Sequence, residues 1–479
     1  MQKLYRLLST FSPLELARFH KYLASPYLNS DPRLEKLLSF LFPQHILARK
    51  SREALFAYLF PDLPFDYHRI SNLISQLNAH IQRFWLLESQ TKMGMEQQIH
   101  LMTVLRERGL AKDYKQLKNK VEKQPLFFEM AHEQSYYLSQ AFEVEKDVFR
   151  IALGERRQTD HLQKQLDALE KYFMLSALKT LCKLVNRQRI VQVEGSSPQV
   201  QRMLDYVQVQ RPFFEEEVPI HLYGLVLQML LHPTEIHYYS TFKHTLEAHR
   251  TQLPFVEQKT LYQYARNYCI QMSNRGEAAF LRELFQLYQI MVEEKLIFYQ
   301  GYIVHTDVKN MVSLGIRLGE YKWTQAFLDQ IADQITPAYR RDAIHFNGAQ
   351  LAYAQGKFRR ALQQLREVNL DESFYHLGAK TLWLKVYFDQ RDGDAFFAHV
   401  HSFQTWLRRN KTISIPQREG HLAWISLTIR LFELHQVGHL STSREKIQHD
   451  LTKIQEDLMR FQPLSQKGWL EEKVAEIQS

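Results

Sequence analysis

The stretch GAQLAYAQGKFRRALQQLREV, residues 348–368, decides the fold. Gly356 separates two segments whose apolar residues recur at helical spacing, so one helix ends there and another begins. The same punctuation stands 37 residues to either side, at Gly319 and Gly393. A fixed period of that length is the mark of stacked helical hairpins. Each hairpin is too thin to cover both of its apolar faces, and stacking buries them. Activity in such an array rests on surface residues free to differ between units, so the sequence speaks more directly of architecture than of function.

Working outward, 479 residues exceed what one compact core holds, which predicts two to four units or one elongated array with caps. Hydrophobic residues make up 45% and aromatics 13%, enough to bury a core, while 16 Gly and 15 Pro leave few breaks. Long helices joined by short loops fit that scarcity, and no alternating strand pattern occurs. Cys182 and Cys269 each lie in an apolar helical pattern, which argues against a disulfide framework or a cysteine metal site. The opening MQKLYRLLSTFSPLE lacks the form of a secretory signal, and residues 222–231, the most apolar run, are half the length of a membrane span and contain Gln228. That run reads as a buried core helix, and the chain as cytoplasmic with no membrane insertion.

Helix starts are clearest near the N-terminus. Ser12, Pro13 and Glu15 form a capping box with proline in the first turn, and Phe11 is placed to staple against Leu16. Leu16, Phe19, Tyr22 and Leu23 then make the inward face. Asp31 before Pro32, Ser51 and Asp66 start three more helices, the last with Ile70, Leu73, Ile74, Leu77, Ile81, Phe84 and Trp85 at helical spacing. This predicts a helical bundle over residues 1–90. A long helical hairpin region follows over 91–195, with Leu101, Val104, Leu105 and then Leu162, Leu166, Leu169 and Phe173 as apolar stripes. The turn-forming cluster at 193–198, with Glu194, Gly195, Ser196 and Ser197, marks its end. Residues 196–479 hold the repeats and C-terminal capping helices.

The central unit, with Ala352, Tyr353, Gly356, Phe358, Ala361, Leu362, Leu365 and Val368, resembles a tetratricopeptide repeat. In that family two antiparallel helices pair where small residues meet, with a glycine at the turn and an aromatic just after it. Ala352 and Ala361 match the close-contact positions, Gly356 the turn and Phe358 the aromatic. The preceding unit keeps Gly315, Gly319, Tyr321, Leu328 and Ile331, with Thr324 in place of the second small residue. The following one keeps Gly393 and Ala398, with Ala395 in place of the aromatic. An earlier hairpin runs through Tyr264, Ala265, Tyr268, Cys269, Gly276, Ala279, Leu284, Leu287 and Tyr288. The resemblance implies an all-α fold, a helical bundle followed by an α-solenoid of degenerate tetratricopeptide-like hairpins. Stretches SPYLN, YARNYC and LRRNK also resemble those of a family of bacterial proteins, a resemblance that implies no activity.

Motifs for chemistry are absent. No phosphate-binding glycine loop or G-x-S-x-G elbow occurs, and Gly356-Lys357 falls in a helix–helix turn. Of 21 histidines, only His435 and His439 have a helical metal spacing, beside Glu433 and broken by Gly438. Neither metal, cofactor nor enzymatic activity is expected. The net charge of +9 comes from 61 basic and 52 acidic residues interspersed along the chain. That modest excess is an ordinary solvated surface before it is a nucleic-acid arm. Trp406 with Arg408, Arg409 and Lys411 reads first as a helix end whose cations meet the dipole, and Arg187 with Arg189 and Arg340 with Arg341 read likewise.

In tetratricopeptide arrays the first helix of each pair lines the concave side. The resemblance therefore carries partner binding onto Lys309, Ile316, Arg317, Gln350, Tyr353, Trp383, Tyr387 and Arg391. Cations beside aromatic rings suit an acidic or aromatic-containing segment of a protein or peptide partner. The expectation is thus a non-catalytic interaction scaffold, and the alternative is nucleic-acid association through dispersed basic surface.

Overall fold

A computed structural model of the chain describes all residues except 43–46, 90–93, 125–132, 155–159, 192–197, 215, 370–372, 438–443 and 479. The described residues form helices and no strand, with isolated bridges only at Tyr299–Tyr302 and Ile303–Ile335. The protein is all-α. Two compact units, Met1–Ser176 and Ala177–Ser479, divide it. The expected turn residues Glu194, Gly195, Ser196 and Ser197, and the junction at 90–93, lie outside the described residues.

The first unit opens with α1 (Gln2–Leu8), α2 (Pro13–Ala24), α3 (Pro32–Leu41), α4 (Arg52–Leu59) and α5 (Tyr67–Ser89). Capping sets the boundaries as read from sequence. Ser12 accepts from the Glu15 amide while Glu15 takes the Ser12 amide at 2.9 Å, and Asp31 and Ser51 cap α3 and α4. Each such cap stabilises its helix by roughly 1 kcal/mol. The ring of Phe11 lies against Phe19, Phe84 and Trp85, at centroid distances of 5.4, 6.0 and 5.8 Å. Helix α1 has no side-chain cap and was not foreseen; Leu4 and Leu8 anchor it in the core of α2–α5.

Next come α6 (Met95–Glu107), α7 (Ala111–Glu122), α8 (Glu133–Ala152) and α9 (His161–Val191). Helices α6, α7 and α8 pack around Met95, Met102, Tyr114, Phe142 and Phe149, with Tyr114 and Phe149 stacked at 3.7 Å. Buried Glu145 takes Arg106 at 2.8 Å and Thr103 at 2.9 Å. The apolar stripe read on α9 points outward: Leu162, Leu166, Leu169 and Phe173 are exposed, and α9 buries Met174, Leu175 and Leu178.

The second unit continues with α10 (Pro198–Gln210), α11 (Val218–Leu231), α12 (Ile236–His249), α13 (Phe255–Asn274) and α14 (Ala279–Glu293). After these stand α15 (His305–Arg317), α16 (Tyr321–Ile331), α17 (Arg340–Ala354), α18 (Phe358–Arg366), α19 (Ser373–Gln390) and α20 (Gly393–Arg409). The chain closes with α21 (Ile415–Val437), α22 (Arg444–Arg460) and α23 (Lys467–Gln478). Helix α11 is buried on nearly every side, as its apolar composition requires. Among the described residues no helix is long and apolar enough to cross a membrane.

Consecutive helices α11–α12, α13–α14, α15–α16, α17–α18 and α19–α20 pair, and α15–α17 and α17–α19 also touch. Small residues set the approach. Ala352 and Ala361 are buried in one cluster with Val386. In the unit before, Gly315 faces Thr324 so closely that a Cβ at 315 would stand 2.2 Å from the threonine hydroxyl. The two pairs occupy the same register, and glycine at 315 compensates for the larger residue at 324. The Thr324 hydroxyl donates to the Glu320 carbonyl at 2.8 Å, which holds it in place.

Gly319 and Gly356 close their helices in the left-handed region, at φ 73° and 70°, with Glu320 and Lys357 amides reaching back to Gly315 and Ala352 carbonyls. At the third turn Arg391 takes that conformation, at φ 58°, and Gly393 is instead the first residue of α20, capped by Asp392.

Half-buried carboxylates tie helices that are not consecutive. Glu257 on α13 accepts from Tyr223 on α11 at 2.6 Å and Lys179 on α9 at 2.5 Å. Glu283 on α14 accepts from Tyr239 on α12 at 2.6 Å and pairs with Lys243 at 2.7 Å. Asp389 on α19 accepts from Tyr353 on α17 at 2.6 Å and pairs with Lys473 on α23 at 2.8 Å.

Gly315→Ala should lower stability by about 1–3 kcal/mol through overpacking, and adding Thr324→Ala should recover most of that; urea unfolding of the three variants measures both. Arg391→Gly should raise stability by about 0.5–1 kcal/mol, the left-handed penalty of an L-residue less the extra entropy glycine loses on folding, read in the same assay.

Candidate functional site

A cavity of about 460 Å³ opens along the helices that begin successive hairpins. Lys309 comes from α15, Phe346 and Gln350 from α17, and Gly378, Thr381 and Lys385 from α19. Gln417 and His421 on α21, with Thr412, Ile413 and Gln466 from flanking loops, complete it. Close packing shapes its floor: a Cβ at Gly378 would meet the Phe346 ring at 2.7 Å.

Both cations are partly withdrawn from water. Burial lowers the Lys309 ammonium from its ordinary value, and Lys309 Nζ lies 5.8 Å from the Phe346 ring centroid. Burial also lowers Lys385, to about 8, with Asp389 and Glu472 opposing the shift. Lys385 Nζ donates to Gln466 Oε1 at 2.6 Å and lies 5.3 Å from the Trp469 ring centroid. His421 donates from Nδ1 to the Gln417 carbonyl at 2.8 Å, and burial lowers it. The Gln350 Oε1 is buried with no hydrogen-bond partner among the described residues. An ammonium desolvated as Lys385 is, among amide and hydroxyl side chains, favours contact with an anionic group, because a carboxylate replaces lost hydration.

Of the eight residues singled out from sequence, the cavity gathers Lys309 and Gln350. Ile316 is half-buried and Arg317 exposed, both near the end of α15, and neither lines it. Tyr353 is held by Asp389 and accepts from Trp469 Nε1 at 2.9 Å. Trp383 and Tyr387 stand on another side of α19, their rings each 5.8 Å from His399 of α20. Arg391 is exposed, 3.4 Å from His435 Nε2. Lys385, Gln417, His421 and Gln466 were missed. The available signal was Gly378, seven residues before Lys385 and so on its face of α19, where a mid-helix glycine marks a close neighbour.

Other candidates resolve into packing. His399 donates to the Lys380 carbonyl at 2.8 Å, and burial lowers it to about 4. Gly438 and His439 of the proposed histidine pair lie outside the described residues, and among the described residues no cluster of three ligand-type side chains could hold a metal. Arg340 donates to the Asp333 carbonyl at 2.6 Å and Arg341 pairs with Glu367 at 2.9 Å. Arg408 and Arg409 occupy the last turn of α20, and Trp406 packs 4.2 Å from His376. Both thiols are buried, and burial pushes Cys269 up to about 12. No protein-family model, curated protein or solved structure matches the chain.

Asp389→Asn should destabilise the protein by about 1–3 kcal/mol, since Lys473 and the Tyr353 hydroxyl lose the charged acceptor they share. Thermal melts compared with Tyr353→Phe, which removes one donor only, should show the larger loss for Asp389→Asn.

Proposed function

We propose that this chain is a non-catalytic, cytoplasmic interaction scaffold of tetratricopeptide-like hairpins, arranged as an α-solenoid, that binds an acidic segment of a protein partner in the groove over α15, α17, α19 and α21. The observation that carries this reading is that Lys309 and Lys385, both lowered by burial, line one cavity with Gln350. Phe346 and Trp469 stand beside those cations, so aromatic residues flanking the acidic ones would add contact.

A fluorescein-labelled peptide of alternating glutamate and tyrosine is the probe. Fluorescence anisotropy should report binding that Lys309→Ala with Lys385→Ala weakens tenfold or more, at about 1.5–3 kcal/mol for each hydrogen bond to a charged group. Equal binding by that double variant rejects the groove. Affinity should also fall as pH rises through about 8, because Lys385 loses its proton there and a neutral amine no longer attracts a carboxylate.

The net charge of +9 favours nucleic acid as the competing partner. Acidic residues are interspersed with the basic ones: Arg266, Arg282, Arg341 and Arg430 pair with Asp307, Glu320, Glu367 and Asp457. Salt separates the two readings. Phosphate binding weakens steeply with ionic strength, and a single-stranded oligonucleotide that causes no gel shift at low salt removes the alternative.

A further inference from the structure

Lys385 differs from the chain's other half-buried lysines in what holds it. Lys473 pairs with Asp389 and with Glu476, both at 2.8 Å, while Lys179 and Lys243 reach Glu257 and Glu283 at 2.5 and 2.7 Å. Among the described residues Lys385 forms no ion pair. Its Nζ donates to the Gln466 amide oxygen at 2.6 Å beside the Trp469 ring, and the residue lines the cavity of about 460 Å³, which leaves room for a two-carbon acyl group.

Asp389 and Glu472 favour the charged form of this lysine and Lys473 disfavours it, and burial outweighs the carboxylates. The other titratable groups lining the cavity are Lys309 and His421, both also lowered by burial. An ammonium is inert as a nucleophile, and the neutral amine is reactive. At pH 7.5 about a quarter of a lysine titrating at about 8 is neutral, against about 0.1% of one at the ordinary value of about 10.4.

We propose that Lys385 is a modification site, acylated on Nζ by an acyl phosphate that enters the cavity, and that the acyl group switches off the anion contact of the groove. The lining selects this class of reagent, because Lys309, a second cation in the same cavity, attracts the phosphate dianion that it carries. Lys385 first gives one proton to water. Its nitrogen then bonds to the carbonyl carbon as the carbon–oxygen bond to phosphate breaks, and the second proton leaves with the departing hydrogen phosphate. The amide so formed is uncharged, and a carboxylate in the groove loses its partner. That consequence rests on the groove reading above, and the acylation does not.

The full chain is incubated with acetyl phosphate at pH 7.5, and each lysine is followed by peptide mass spectrometry. Lys385 should be acetylated at least about tenfold faster than exposed Lys322, Lys411 and Lys453, and the preference should vanish in urea. An equal or slower rate at Lys385 overturns the proposal, as does a preference that survives unfolding. The chain acetylated once, at Lys385, should bind the peptide of alternating glutamate and tyrosine at least about threefold more weakly than the untreated chain; equal binding overturns the switch. A peptide that binds neither form, with Lys385 still reacting first, sinks the groove reading and the switch and leaves the modification site standing.

Discussion

Everything in the second unit depends on how closely two helices of one hairpin approach. Ala352 and Ala361 set that separation for α17 and α18, and Gly315 against Thr324 sets it for α15 and α16 at the same register. Two different residue pairs thus solve one steric condition, and the sum of their sizes is what the backbone spacing constrains. A hairpin so narrow cannot shield its remaining apolar surface, so α17 also packs on α15 and on α19. Carboxylates then pin neighbours that close packing alone would leave free to slide. Glu257, Glu283 and Asp389 each gather a tyrosine hydroxyl and an ammonium, and leaving any of these half-buried groups without its partner is costly.

The groove is a consequence of that spacing. Helices that open successive hairpins lie along one side, and a phenylalanine ring at Gly378 brings α17 and α19 close enough to enclose space. Lys385, standing in that space, loses water and donates to a side-chain amide. Lys473, by contrast, meets Asp389 directly and is satisfied within the fold. The contrast between the two lysines, one paired and one held by an amide and a ring, is the basis for reading Lys385 as a group awaiting an anion.

The helical class and most helix starts were legible because both are local. Ser12, Asp31 and Ser51 cap the helices they were read to cap, and Gly319 and Gly356 turn where expected. What depends on neighbours was harder to see. Helix α1 carries no capping signal and is held by Leu4 and Leu8 from tertiary packing. Periodicity shows that Leu162, Leu166, Leu169 and Phe173 share a face but not that the face points outward. Trp383 and Tyr387 show the same difficulty on α19, where aromatic character drew them toward His399 and left the groove to Lys385. Arg391 in a left-handed turn broke the glycine rule that made the other two turns readable.

The central claim is that stacked hairpins hold a cation in a partly dry groove on the α19 face. The most direct measurement is the titration of the Lys385 ammonium by NMR of the chain labelled at lysine, assigned through Lys385→Arg. A midpoint near 8 is the predicted result. A midpoint at the ordinary lysine value of about 10.4 would contradict it, since an ammonium in full contact with water could not be lining the enclosed groove described here.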